Sequence, residues 1–307
     1  MPRPADAPKI NEVSTNSQAE TMGSGEASTP GLLLDRVRER IRLRHYSIRT
    51  EQAYCDWIRR FILFHGKRHP SVLGAGDVEA FLTALAVREH VAASTQNQAR
   101  SALLFLYKEV LGTELPLLGG IQAAKPSTRL PVVLTRDEVS RVLARMEGVH
   151  RLVGSLLYGT GLRIMEAMRL RVKDVDFARG EILVRDGKGQ KDRVTMLPMR
   201  LAGPLREQLG HGRELHRADL EAGYGAVWLP FALARKYPDA ARDWAWQYVF
   251  PAPGRSVDPR DGIERRHHLN EQAFQRAMKI AVRGAGVLKP ATPHTLRHYA
   301  GPETMPG

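Results

Sequence analysis

Two arginines, a lysine and a histidine in the second half of the chain have types and spacing that suit chemistry at a phosphate. Arg163 follows the break Thr160-Gly161-Leu162 and opens a helix. Lys188 sits at the tip of an expected β-hairpin, inside Asp186-Gly187-Lys188-Gly189. His294 and Arg297 fall in Pro293-His294-Thr295-Leu296-Arg297-His298, on one face if that segment is helical. Two guanidiniums can grip the non-bridging oxygens of one phosphate by forked hydrogen bonds. Their grip strengthens as charge builds on a five-coordinate phosphorus. The lysine can protonate a leaving oxygen, and the histidine can move protons near neutral pH. The set lacks only a nucleophile. The plain alternative for Lys188 is a solvated hairpin-tip lysine, with Lys191 as the fallback donor. Glu166 can either orient Arg163 or be a surface acid. A positive charge at a helix start opposes the helix dipole, which favours a functional reason for Arg163.

The elements that must hold these residues are mainly helical. A capping box at Thr135–Glu138 opens a helix with Val139, Val142 and Leu143 inward. Another covers about Val149 to Tyr158, breaks at Gly159-Thr160-Gly161 and resumes from Leu162 to Leu170. Glu181–Val184 and Arg193–Leu197 read as the two strands of the hairpin, and helical patterns return after Leu201 and over Leu269–Val287. Upstream, residues 31–112 read as four helices. The first carries arginines at 36, 38, 40, 42 and 44, of which Arg42 and Arg44 are the candidates to face phosphates. The second starts near Thr50, with Tyr54, Trp57 and Phe61 as core. Asp77 is the expected cap of the third, and Ser94 or Thr95 of the fourth, which stops at Gly112. Short loops suit a helical bundle. Residues 1–30 read as a disordered tail and 113–131 as an interdomain linker. The fold class is therefore mainly α with a small β-sheet: a helical bundle followed by a mixed α+β domain over 132–307.

Charge points the same way. The chain of 307 residues carries 46 Lys+Arg against 33 Asp+Glu, a net +13. The tail contributes −2, residues 31–112 +5 and residues 113–307 +10, so the positive charge lies in the folded parts. A basic folded surface favours a polyanion as partner. No apolar run is long enough to span a bilayer, and no long basic amphipathic helix suggests a membrane surface. One cysteine, Cys55, excludes a disulfide scaffold and a cysteine-based zinc site. With no visible presequence, the expected compartment is the cytoplasm.

Three blocks, Thr160-Gly-Leu-Arg-Ile-Met-Glu166, Gly187-Lys-Gly-Gln-Lys-Asp-Arg193 and His294-Thr-Leu-Arg-His298, resemble in order and spacing the signature of tyrosine recombinases, the phage-integrase family. The resemblance covers roughly residues 31–298. It implies a SAM-like core-binding bundle at 31–112, a catalytic domain from 132 onward, and Arg163, Lys188, His294 and Arg297 as catalytic residues. It also implies DNA as substrate and a homo-oligomer, a tetrameric synapse, on that DNA. The implied chemistry is transesterification through a phosphotyrosine. Bond energy is kept in the covalent link, so no cofactor is expected, and Arg and Lys supply the positive charge that a metal supplies elsewhere.

A narrower resemblance concerns an insertion at about 214–269. Tyr224-Gly-Ala-Val-Trp-Leu-Pro230, Ala234-Arg-Lys-Tyr-Pro238, Trp246-Gln-Tyr-Val-Phe-Pro251 and Arg265-Arg-His-His268 resemble integron integrases, which recombine attI sites and folded single-stranded attC sites with bulged-out bases. By that resemblance Trp246, Pro259, His267 and His268 contact such bases, and an aromatic platform is worth about 1–3 kcal/mol per stacked base. As a metal pair, adjacent His267 and His268 are poor ligands for one ion, and no metal site is expected. His211 and His216 read as an exposed helix surface.

The family nucleophile is a tyrosine well beyond the His-x-x-Arg block, whereas this sequence ends at Gly307. Tyr299 stands too close to Arg297 to reach in line to a phosphate that Arg297 holds. The resemblance therefore implies a chain incomplete at its C-terminus, which binds site DNA without cleaving it alone. The competing reading is a non-catalytic DNA-binding protein, a decoy or repressor occupying recombination sites.

Overall fold

The computed structural model describes residues 30–115, 131–185 and 191–297. Lys188, His298 and Tyr299, the tail and most of the 113–131 segment lie outside the described residues. The chain divides between Arg129 and Leu130 into two compact units.

The first unit contains α1 (Pro30–Leu43), α2 (Ile48–Phe64), α3 (Ala75–Val87) and α4 (Ala93–Phe105). Apolar residues at helical spacing drive it together: Leu33, Val37 and Ile41 of α1 pack with Ile58 and Phe61 of α2, Val78 and Leu82 of α3, and Leu103 of α4, all inaccessible to solvent. Trp57, Phe61 and Cys55 are buried, and Tyr54 is half-buried against this core. Two caps differ from the sequence reading. Gly74, in an extended conformation, is the N-cap of α3, and Asp77 sits one turn inside, where its carboxylate accepts the Gly74 N–H at 2.8 Å. Helix α4 starts after Ala92 with no side-chain cap, which leaves Ser94 and Thr95 in its first turn. Beyond Phe105 the helix winds as a π-turn, Leu106–Leu111, before Gly112 ends it in the left-handed region. The wider winding lets the consecutive residues Phe105, Leu106 and Tyr107 all bury, and the Tyr107 hydroxyl lies 3.0 Å from the carbonyls of both Pro70 and Leu73.

The second unit opens with α5 (Arg136–Ala144), whose Thr135/Glu138 capping box forms as the sequence suggests. Next come α6 (Gly148–Thr160) and the five-residue α7 (Ile164–Met168). The break between them is narrower than expected: α6 continues through Thr160, Gly161 turns at φ +66°, and α7 occupies only part of Leu162–Leu170. Glycine suits this left-handed position because a side chain there is strained. Strands β1 (Val175–Asp176), β2 (Glu181–Val184) and β3 (Arg193–Met196) form one antiparallel sheet in sequence order, with Val184 opposite Arg193. The long helix α8 (Met199–Glu221) follows and carries Leu201 and Leu205 into the core.

The expected insertion, at about 214–269, contains α9 (Phe231–Lys236) and the two-stranded ribbon β4 (Ser256–Val257) and β5 (Glu264–Arg265). It has a small core of Val227, Leu229, Ala240 and Tyr248. Part of it folds back on α8. His216 is consequently buried, its ring tilted over Trp244 at 5.9 Å, and is not the exposed residue that the sequence suggests; His211 does remain exposed. The unit closes with α10 (Glu271–Gly284) and α11 (Pro293–Leu296), and α11 packs on α6 with Leu296 fully buried. Among the described residues no helix is long and apolar enough to cross a membrane.

Candidate functional site

The local chain path around α7 presents Arg163. Gly161 ends α6, and Arg163, in an extended conformation, becomes the N-cap of α7. Glu166 lies in the first turn of that helix. Its carboxylate accepts the Arg163 main-chain N–H at 2.8 Å and the Arg163 guanidinium at 2.5 Å. The backbone bond fixes the turn and the side-chain bond fixes the guanidinium, so Glu166 is an orienting residue and not merely a surface acid. The Oε2 that takes the Arg163 main-chain N–H also receives Arg193 Nη2, at 2.6 Å, from the start of β3. Strand β3 is held there by Thr195, whose hydroxyl donates to the Thr160 carbonyl at 3.0 Å. Burial alone would raise the Glu166 pKa; the Arg163 hydrogen bonds and the charges of Arg193 and Arg163 outweigh it and hold the carboxyl below its usual value.

Arg297 comes to the same place from α11. It is half-buried and has no ion pair among the described residues. Burial lowers its pKa first, the positive charge of Arg163 lowers it next, Glu166 raises it and Arg193 lowers it again. Arg163 and Arg297 are thus brought together, with Arg193 as a third guanidinium. His294 sits one turn earlier on α11 and is exposed. Lys191, the fallback for Lys188, is exposed just before β3. Two arginines on one buried carboxylate, with Arg297 in electrostatic reach, leave an excess of positive charge suited to an oxyanion.

The insertion is fixed to the chain segment just after α7. Arg171 donates to the carbonyls of Trp246 at 2.6 Å and Trp228 at 3.0 Å, and to the Tyr248 hydroxyl at 3.2 Å. Its guanidinium also stacks 4.0 Å above the Tyr248 ring. Main-chain bonds from Val172 N–H to Gln247 and from Val249 N–H to Leu170 complete the junction. Trp246 is half-buried at the end of a single turn of 3-10 helix capped by Asp243, and the Lys173 ammonium lies over its ring. His268 meets the Tyr248 ring edge-on at 5.4 Å and bonds the Leu269 carbonyl through Nδ1 at 2.9 Å. His267 has a buried Nε2 with no hydrogen-bond partner, 3.8 Å from the fully buried Asp258 carboxylate. Burial is the leading cause that lowers the pKa of both histidines. Pro259 is exposed beside Asp258, and Arg260 stacks over Trp228 at 4.3 Å.

In the first unit Arg42 forks onto Glu51 at 2.9 and 3.0 Å, and Arg44 meets Glu109 at 2.6 Å. The Glu51 hydrogen bond, then its charge, raises the Arg42 pKa. Both arginines therefore face a carboxylate that offsets their charge. No group of three or more potential metal ligands occurs among the described residues. Sequence reasoning missed Arg193 and Arg171. Arg193 stands in the sequence as the last residue of the Gly187–Arg193 block and the first of a strand, with no role of its own attached, and nothing in the sequence separates the half-buried Arg171 from the exposed Arg169.

Comparison with known proteins agrees with this geometry. The sequence profile of the phage integrase N-terminal SAM-like domain matches residues 33–117, and that of the phage integrase family matches residues 132–303. An integrase/recombinase of Escherichia coli is 58% identical over 266 residues, 87% of this chain and 79% of the relative. A Tyrosine recombinase XerD of Agrobacterium fabrum is 31% identical, over 76% of this chain and 70% of its own length. Among solved structures, a lambda integrase dimer bound to a COC′ core site superposes with a TM-score of 0.56 at 17% identity, covering 88% of this chain and 84% of that one. The XerH site-specific recombinase bound to palindromic difH substrate also gives 0.56, at 20% identity, covering 89% and 73%. These two likenesses show the fold, and the sequence matches show the family: the chain belongs to the phage integrase family of tyrosine recombinases.

Proposed function

We propose that the chain is an integron-type site-specific recombinase that acts on attachment-site DNA, both paired attI-like sites and folded attC-like single strands. Arg163 and Arg297 clamp the scissile phosphate. Lys188 protonates the leaving 5′ oxygen, and His294 assists with the proton of the attacking group. In the reaction a tyrosine hydroxyl from outside the described residues attacks phosphorus, the bond to the 5′ oxygen breaks and a 3′-phosphotyrosyl link remains. The reverse attack by a new 5′-hydroxyl reseals the strand, so one ester is exchanged for another. Assembly as a homo-tetramer is part of the proposal; a related solved structure is described as a lambda integrase tetramer bound to a Holliday junction.

The observation that carries this reading is the convergence of Arg163 and Arg297 beside Glu166, with net positive charge left for a phosphate. The integron assignment rests on the insertion, whose Trp246 and His268 both flank Tyr248 and whose Pro259 and His267 both adjoin Asp258. The test compares binding of a DNA hairpin bearing extrahelical bases with binding of the same stem fully paired. The hairpin should bind more tightly, and Trp246→Ala should erase most of the difference, by about 1–3 kcal/mol if one base stacks there. Equal binding of both DNAs by the unaltered protein rejects the integron assignment. Unchanged affinity for both DNAs in the double variant Arg163→Gln/Arg297→Gln rejects the clamp.

A further inference from the structure

We propose that Arg193 is a third phosphate-binding arginine, held in place by Glu166, so that the clamp closes on DNA from three elements. The proposal rests on the phosphate-clamp reading of Arg163 and Arg297. Three observations carry it. First, the Glu166 side chain is only 8% exposed, yet it serves two arginines from different elements, Arg163 at the N-cap of α7 and Arg193 at the start of β3. One carboxylate cannot neutralise both, and Arg297 adds a further charge with no ion pair among the described residues. Second, the Arg193 side chain is 36% exposed, close to the 37% of Arg163, and it contacts Glu166 through Nη2. A guanidinium has five N–H donors, so others remain available to an oxyanion. Third, strand β3 is fixed at this point: Thr195 bonds the carbonyl of Thr160, the residue that ends α6, and Arg193 is paired in register with Val184. Arg193 is thus aimed by a backbone that cannot easily slide.

A purely structural strut would look different. It would spend its donors within the protein, as Arg171 does with the carbonyls of Trp246 and Trp228 and the Tyr248 hydroxyl. Arg193, partly exposed, shares the Glu166 carboxylate with Arg163 and lies in electrostatic reach of Arg297, where like charges repel until an anion joins them.

The experiment measures affinity for a mixed-sequence DNA duplex over a series of salt concentrations. The unaltered chain is compared with Arg163→Gln, Arg193→Gln and Arg193→Lys. Each lost phosphate contact lowers the salt slope by about 0.9. Arg193→Gln should lower it by about that amount, and Arg193→Lys, which keeps the charge, should restore most of it. Because Arg193→Gln also removes a partner of Glu166, a second measurement uses the unaltered protein. Phenylglyoxal modifies accessible arginines, and peptide mapping should show that DNA protects Arg193 together with Arg163. If Arg163 responds in both measurements while Arg193 keeps the full slope as Gln and is modified equally with and without DNA, the third-arginine proposal alone falls. If neither arginine responds, the clamp reading fails and takes this proposal with it.

Discussion

Arg193 reaches the Glu166 carboxylate at 2.6 Å, and this contact fastens the edge strand β3 to the first turn of α7. Glu166 is thereby an acid through which the sheet and the Arg163 turn are joined. Glu166→Gln should destabilise the second unit by roughly 1–3 kcal/mol, because two arginines lose a charged acceptor. The folded-state pKa of Glu166 is lowered, so its contribution is present above the ordinary value of 4.5 and disappears as pH falls through the lower folded value. Denaturant melts across an acidic pH series should therefore show a shallower decline for Glu166→Gln than for the unaltered protein. Parallel curves would remove Glu166 from the acid response.

The insertion should carry a second pH response, at milder acidity. Burial lowers the pKa of His268 from the usual 6.5, and the neutral ring is the form packed beside Tyr248. Below 6.5 the unfolded chain takes up the proton first, so stability declines with falling pH until the folded pKa is reached. Nuclear magnetic resonance titration of the His268 ring should give a midpoint below 6.5, and a midpoint above it would contradict the burial described.

Loss of the Arg171 side chain should loosen the insertion more than the rest of the unit. Arg171→Met keeps length and apolar packing but leaves the carbonyls of Trp228 and Trp246 without this donor. A cost of roughly 1–3 kcal/mol is expected for leaving these half-buried carbonyls without their charged donor. Amide hydrogen exchange should accelerate over 227–249, with less change in α6. Uniform acceleration throughout the unit would mean that Arg171 supports the whole core and not this junction.

Helix α8 offers a stabilising change. Gly210 lies in its middle, is exposed, and a Cβ there would meet nothing within 4 Å. Gly210→Ala should add about 1 kcal/mol through helix propensity alone. Thermal melting reads the gain, and a lower melting temperature would show that α8 needs flexibility at this point.

Much of the fold could be read from residue spacing, for a plain reason. The stripes Leu33-Val37-Ile41 and Val78-Phe81-Leu82-Leu85 are periodic, and burial of such stripes dominates folding. Thr135 and Glu138 form their capping box because both partners lie within one turn. Arg163 and Arg297 were recognisable through their motifs, although only the packing of α11 on α6 shows how residues so distant in sequence meet. Other features depend on the tertiary surroundings. The start of α3 is set by the conformation of Gly74 and not by the nearest acidic residue. His216 is polar on a helix that looks exposed, and only the return of the insertion with Trp244 buries it. The π-turn at Leu106–Leu111 breaks the 3.6-residue period, so an apolar run there cannot be assigned to one face in advance.

The junction that carries the insertion is made chiefly to the main chain. Arg171 bonds the carbonyls of residues 228 and 246, and the flanking contacts are Val172 N–H to the Gln247 carbonyl and Val249 N–H to the Leu170 carbonyl. Every amino acid provides such a carbonyl. Mutation can therefore exchange side chains at positions 228, 246 and 247 without discarding these attachment bonds. The arrangement is modular in an evolutionary sense: exposed side chains of the insertion can change while Arg171 and a few peptide groups keep the segment attached to the chain just after α7.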